Sequence, residues 1–193
     1  MTPLLSAVSV ERQFRVHGDP VTALRPISLE VQAGDFISLT GPSGSGKSTL
    51  CALLAGWDTP DGGRIDRAEG TTSVFTPQRA VLFDTLTVTE NLGLAGPVDP
   101  ALLDQLHIAE LANRYPEDAS LGERQRIAIA RAVAAGADIL ILDEPTAHQD
   151  TETTQSVIVT LTSVATRGTA IVVATHDPAL AEAATRTTTL NGP

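Results

Sequence analysis

The nine residues GPSGSGKST, from Gly41 to Thr49, hold the densest chemistry in the chain. Gly41, Gly44 and Gly46 let successive backbone N–H groups turn inward as an anion nest, with Pro42, Ser43 and Ser45 spaced between them. A helix opening at Lys47 adds the partial positive charge of its N-terminus. Lys47 supplies a point charge for the β- and γ-phosphates of a nucleotide. Ser48 offers a hydroxyl to Mg²⁺, and Thr49 closes the loop. This G-x-x-x-x-G-K-[ST] spacing is specific only between a strand and a helix. "DFISLTG" before it and "KSTLCALLAG" after it meet that condition.

A second acidic motif lies about a hundred residues on, in "ILILDEP". Four apolar residues deliver Asp143 to the carboxyl end of a strand, where it serves Mg²⁺ through water. Glu144 follows directly, so in an extended chain the two carboxylates point to different sides. One serves the metal while the other orients or deprotonates an attacking water. Without the phosphate loop, the pair would read as two solvated acids ending a buried strand at Pro145.

The elements that position these groups follow from periodicity. "LLSAVSV" and "PISLEV" cluster β-formers, and "TTSVFTPQ" is another strand. "ADILILDEP" and "TAIVVATHD" are too apolar for strands with one wet face, and "RTTTL" ends the series. Helices are expected in "KSTLCALLAG" (closed by Gly56), "GERQRIAIARAVAAG", "TETTQSVIVTLTSVA" and "PALAEAAT". "WDTPDGGRIDRAEG" reads as turn-rich, and short helices broken by Gly and Pro fill the stretch from Leu82 to Glu117. Alternating strands and helices predict an α/β parallel-sheet core. An antiparallel β subdomain precedes it, and a helical insertion occupies roughly 82–117.

Composition bounds the rest. The 193 residues suit a single domain, 1–193, and 42% of them are hydrophobic. A formal net charge of −10 argues against nucleic acid and against broad contact with an anionic membrane. One cysteine, Cys51, fits a reducing compartment. The N-terminus lacks a basic start with a sustained apolar run, and no stretch approaches the ~20 apolar residues that span a bilayer. A cytoplasmic domain without direct membrane insertion is expected, with any membrane role carried by another chain.

With these residues in place, the chain resembles the nucleotide-binding subunit of ABC transporters, over nearly its full length. "GPSGSGKST" looks like the family's phosphate loop and "ILILDEP" like its acidic strand. "FTPQ" supplies Gln78, in the resemblance a Mg²⁺ and water ligand that also senses the membrane partner. "SLGERQRIAIARAV" is similar to the signature motif, with Ser120 and Gly122 approaching nucleotide. "TAHQD" ends in Asp150 of the dimer-contact loop, and "ATHDP" supplies the switch histidine, His176, beside the γ-phosphate. Phe14 stands where the family stacks an aromatic on adenine; an aromatic in an alternating strand equally suits a core. "GDPVTALRPISLEVQAGD", "GWDTPDGG" and "LTVTENL" resemble the lipoprotein-releasing and macrolide-export branch.

The resemblance implies a P-loop ATPase using ATP and Mg²⁺. It dimerises head to tail with itself or with a related chain. It lies on the inner face of the plasma membrane through an integral-membrane permease. A small-molecule P-loop kinase is the competing enzyme class, and it would need neither Gln78, the signature nor His176. A non-transport ABC ATPase in division machinery is the other alternative. One departure stands out: the signature reads Ala119-Ser120-Leu121-Gly122-Glu123, with leucine where the family places glycine. Either Leu121 obstructs the approach to a phosphate, straining the backbone if its φ must be positive, or it points away.

Overall fold

The computed structural model describes residues 2–192. Five strands form a parallel sheet: β3 (Phe36–Thr40), β5 (Ser73–Thr76), β6 (Ile139–Asp143), β7 (Ala170–Ala174) and β8 (Arg186–Thr189). Their spatial order is β5-β6-β7-β3-β8, and every neighbouring pair is parallel. Period-2 alternation sends successive residues to opposite faces, and here both faces are dry. Leu140 and Leu142 pack on one side with Phe36, Ile171 and Val173. Ile139 and Ile141 pack on the other with Ile37, Leu39 and Val172. That is why β6 and β7 read as unbroken apolar runs.

The first face is covered by α4 (Leu121–Ala134) and α5 (Thr151–Thr166), with the short helices α2 (Val88–Gly93) and α3 (Pro100–Gln105). The second is covered by α1 (Lys47–Ala55) and by an antiparallel sheet. That sheet comprises β1 (Leu5–Val16), β2 (Asp19–Val31) and β4 (Gly62–Arg67) in the order β2-β1-β4. The helix α6 (Pro178–Ala183) precedes β8. Between β5 and α4 lie only α2, α3 and two 3-10 turns at Ala109–Leu111 and Pro116–Asp118.

One expectation fails. The stretch 57–70, read as turn-rich, contains β4, which pairs with β1 from Leu5↔Arg67 to Glu11↔Gly62. Its Gly62-Gly63 pair marks a β-bulge rather than a loop. Gly63 takes φ +76°, and a Cβ there would sit 2.3 Å from the Val8 carbonyl oxygen. The register of β1 shifts at this point, between Val8 and Glu11. The first two strands are also longer than their apolar cores suggest, because a hairpin turning at His17–Gly18 extends them with polar residues.

Candidate phosphate-binding site

All the catalytic candidates converge at the carboxyl ends of the parallel strands, where an open α/β sheet places its ligands. The phosphate loop leaves β3 and enters α1. Gly46 caps that helix at φ +96°, and a Cβ there would lie 2.4 Å from the Ala23 carbonyl oxygen of β2. Gly41 is equally constrained: its φ is +138°, and a Cβ would lie 2.3 Å from the Leu190 carbonyl oxygen. The loop's path therefore depends on backbone packed against backbone, which only glycine permits. Lys47 is buried, and its Nζ donates to the carbonyl oxygens of Gly41 (2.9 Å) and Pro42 (3.1 Å). The ammonium is thereby held over the loop. Ser45 is 3% exposed, and its hydroxyl finds no partner.

A cleft of about 590 Å³ opens at this loop. Ser43, Gly44, Gly46, Lys47, Ser48 and Thr49 line it from below. Gln78 enters from the end of β5, Glu144 from β6 and His176 from β7. Strand order explains the convergence: β7 lies between β3 and β6, so its terminal histidine faces both the loop and the acidic strand. Asp143 lies behind the cleft and is 4% exposed. Burial raises its carboxyl above the ordinary value, while the Ser48 hydroxyl and the Lys47 charge act in the opposite direction.

Glu144 departs from strand geometry. Its φ is +49°, in the left-handed region that costs a branched-out side chain roughly 1–3 kcal/mol. Tertiary bonds hold it there. Its N–H donates to the Ala174 carbonyl (2.8 Å), and its Oε2 accepts from the His176 N–H (3.2 Å). The His176 imidazole lies 3.7 Å from Oε1, about half exposed, whereas the Glu144 side chain is 15% exposed. The carboxylate thus turns away from Asp143 and into the cleft beside His176.

The remaining candidates lie elsewhere. Ser120 caps α4 in a reciprocal box with Glu123: Ser120 N–H donates to Glu123 Oε2 (2.7 Å), and Glu123 N–H donates to Ser120 Oγ (3.3 Å). Hydrogen bonding by the Ser120 hydroxyl, and then by its backbone N–H, lowers the Glu123 carboxyl. Gly122 lies against the loop before α5, where a Cβ would come 2.9 Å from the His148 carbonyl oxygen. Leu121 is the first residue of α4 and is absent from the positive-φ residues, so the expectation of backbone strain is not met. Its side chain is 66% exposed and lines a second cleft with Ser120. Gln78 lines both clefts.

Asp150 caps α5, accepting from the Thr153 N–H at 2.8 Å, a bond that lowers its carboxyl. Phe14 is neither core nor part of the cleft wall; it is 43% exposed. It stands directly opposite Val21, which does line the cleft with Thr22, Ala23 and Ala147. None of these four wall residues was anticipated. An apolar Val21 within "HGDPVTALR" was the only available sign of a wall there.

The donor set fits Mg²⁺. Ser48, Asp143 and Gln78 offer hard oxygen atoms. Mg²⁺ commonly takes one or two carboxylates with substrate phosphates.

Comparison with known proteins places the chain. The family described as ABC transporter matches residues 24–147. A macrolide export ATP-binding/permease protein of Aeromonas hydrophila is 32% identical over 97% of this chain and 33% of its own length. A spermidine/putrescine import ATP-binding protein of Chromobacterium violaceum is 35% identical over 90% of this chain and 53% of its own. The chain thus spans about a third to a half of these relatives. An uncharacterized ABC transporter ATP-binding protein of Methanocaldococcus jannaschii is 33% identical over 85% of both chains. Among solved structures, a dimeric ATP-binding cassette in a post-hydrolysis state with ADP and Pi superposes with a TM-score of 0.83. It is 29% identical and is covered over 94% of its length. The architecture is accordingly that of the P-loop NTPases, with the expected parallel core and antiparallel sheet.

Proposed function

The chain belongs to the ABC transporter family, and we propose that it is the ATP-binding and ATP-hydrolysing subunit of a transporter, one cassette spanning 1–193 with its helical insertion near 82–117. One observation carries the reading: Lys47, Ser48, Gln78, Glu144 and His176, from four separate parts of the chain, line one cleft. Family membership sets aside the small-molecule kinase.

In this mechanism the loop N–H groups of 41–46 and the Lys47 ammonium hold the β- and γ-phosphates. Ser48, Asp143 and Gln78 would hold Mg²⁺, which would supply positive charge against the charge that develops on the phosphates. Glu144 takes the proton of the attacking water or orients it, already aimed into the cleft by its left-handed backbone. His176 donates a hydrogen bond to the transferring phosphoryl oxygens. Phe14 stacks on the base.

Ser120 and Gly122 do not line this cleft, so they act on a nucleotide held by another chain, and Asp150 lies at the same contact. One chain carries both a cleft and a capped signature, so two copies suffice to build two complete sites. No helix among the described residues is long and apolar enough to cross a membrane. A permease supplies the pore, with this cassette at its cytoplasmic side.

Glu144→Gln tests the chemistry. Turnover should fall by about 10² or more, as on losing a positioned base, while affinity for MgATP stays within a few-fold. Undiminished turnover would move the catalytic role to another residue.

A further inference from the structure

A fixed cation backs the aromatic ring of Phe14, the cross-strand partner of the cleft-lining Val21. The Arg12 guanidinium lies 4.8 Å from the Phe14 ring centroid, within cation–π range. Two carboxylates from the segment after α1 hold it there. Asp58 takes Nε and Nη2 as a fork at 2.9 and 3.0 Å, and Asp61 takes Nη1 at 2.9 Å. Asp61 also accepts the Gln13 N–H at 2.7 Å, tying the β1 backbone to the same anchor. Bidentate pairing fixes the guanidinium plane in a way a single ammonium contact does not.

The ring so held belongs to an apolar surface. Phe14, Val16 and Val21 are all between 43% and 48% exposed on the β1–β2 hairpin. Phe14 and Val21 are direct cross-strand partners and so share a face. Val21 borders the phosphate cleft. An exposed ring on a hairpin would ordinarily sample several rotamers, and ordering it on binding costs affinity.

We propose that Arg12 is a positioning residue for the nucleobase: anchored by Asp58 and Asp61, it fixes the Phe14 ring as a preorganised platform onto which the purine stacks. This rests on the ATP-binding reading and adds the residue that sets the base subsite. The anchor lies in the segment just beyond α1, the helix that opens at the end of the phosphate loop. Arg12 touches no part of the nucleotide in this account; it acts through Phe14.

The test compares MgATP with magnesium tripolyphosphate, which shares the phosphates and lacks the base, by calorimetric titration of the full chain. Arg12→Lys keeps the charge and loses the fork. It should weaken MgATP several-fold and leave tripolyphosphate within about twofold. In a Phe14→Ala background, Arg12→Lys should add nothing, because the residue it positions is gone. Asp61→Asn, which removes one anchor, should follow Arg12→Lys in the same direction with a smaller loss.

Equal weakening of both ligands, or an Arg12→Lys loss that persists in Phe14→Ala, would reduce Arg12 to a structural brace and overturn the proposal. Unchanged MgATP affinity in both Phe14→Ala and Arg12→Lys would remove the base platform while leaving the phosphate site intact. Wild-type protein binding neither ligand would overturn the nucleotide reading itself, and the platform with it.

Discussion

The phosphate cleft and the start of α4 are built on opposite logics. The cleft collects side chains from the ends of β3, β5, β6 and β7 around one cavity, and Glu144 is held there by bonds to Ala174 and His176, some thirty residues on. The signature is largely local: Ser120 and Glu123 satisfy one another across one helical turn, while Gly122 lies against the loop before α5 and Ala119 packs on the core. A centre that must move charge during a reaction needs many elements to fix it. A surface that must meet a phosphate from outside needs only a well-capped helix end whose N–H groups face outward.

Breaking the cleft should have the largest effect. Lys47→Ala removes the one Lys or Arg that lines the cleft among the described residues, and MgATP affinity should fall by about tenfold to a hundredfold, as for losing a charged hydrogen bond. Fluorescent-nucleotide titration measures this. Unchanged affinity would take the phosphate loop out of the site.

Breaking the close approach of the signature to the loop before α5 should act on folding first. Gly122→Ala drives a Cβ to 2.9 Å from a backbone oxygen, and overpacking of this kind costs about 1–3 kcal/mol. Denaturant unfolding should show that loss, with MgATP affinity of the folded monomer unchanged. A loss of monomer affinity without a loss of stability would mean that the two regions are coupled inside one chain.

The smallest effect belongs to Leu121. Its helical backbone removes strain as a cause, so only the exposed side chain is left to obstruct an approaching phosphate. Leu121→Gly should raise steady-state turnover at saturating ATP several-fold. An equal or lower rate would show that the leucine lies clear of the nucleotide.

Sequence made the cleft legible because its residues are tied to short motifs with fixed spacing. The strand–loop–helix context of Lys47 and the apolar run before Asp143 were visible without coordinates. Three features were not. β4 was hidden because Gly62 and Gly63 look like a turn, whereas Gly63 accommodates a bulge in β1, a strand some fifty residues away. The left-handed backbone of Glu144 arises from bonds to Ala174 and His176, and such bonds leave no local trace. The wall formed by Val21 to Ala23 follows from the hairpin crossing the loop, which only the tertiary structure reveals. Leu121 errs the other way: a family pattern suggested strain where the chain simply begins a helix.

The central claim is that the cleft of one chain is completed by the signature of another copy. Mixing two inactive variants tests it most directly. Lys47→Ala disables a cleft and leaves a sound signature. Ser120→Asp preserves a competent helix cap but places a negative charge where a phosphate must approach. A mixed dimer holds one site with both defects and one with none. Each variant alone should hydrolyse ATP at a small fraction of the wild-type rate, and mixing at equal amounts should restore a substantial part of it. A mixture no faster than the sum of its two components would contradict the shared site.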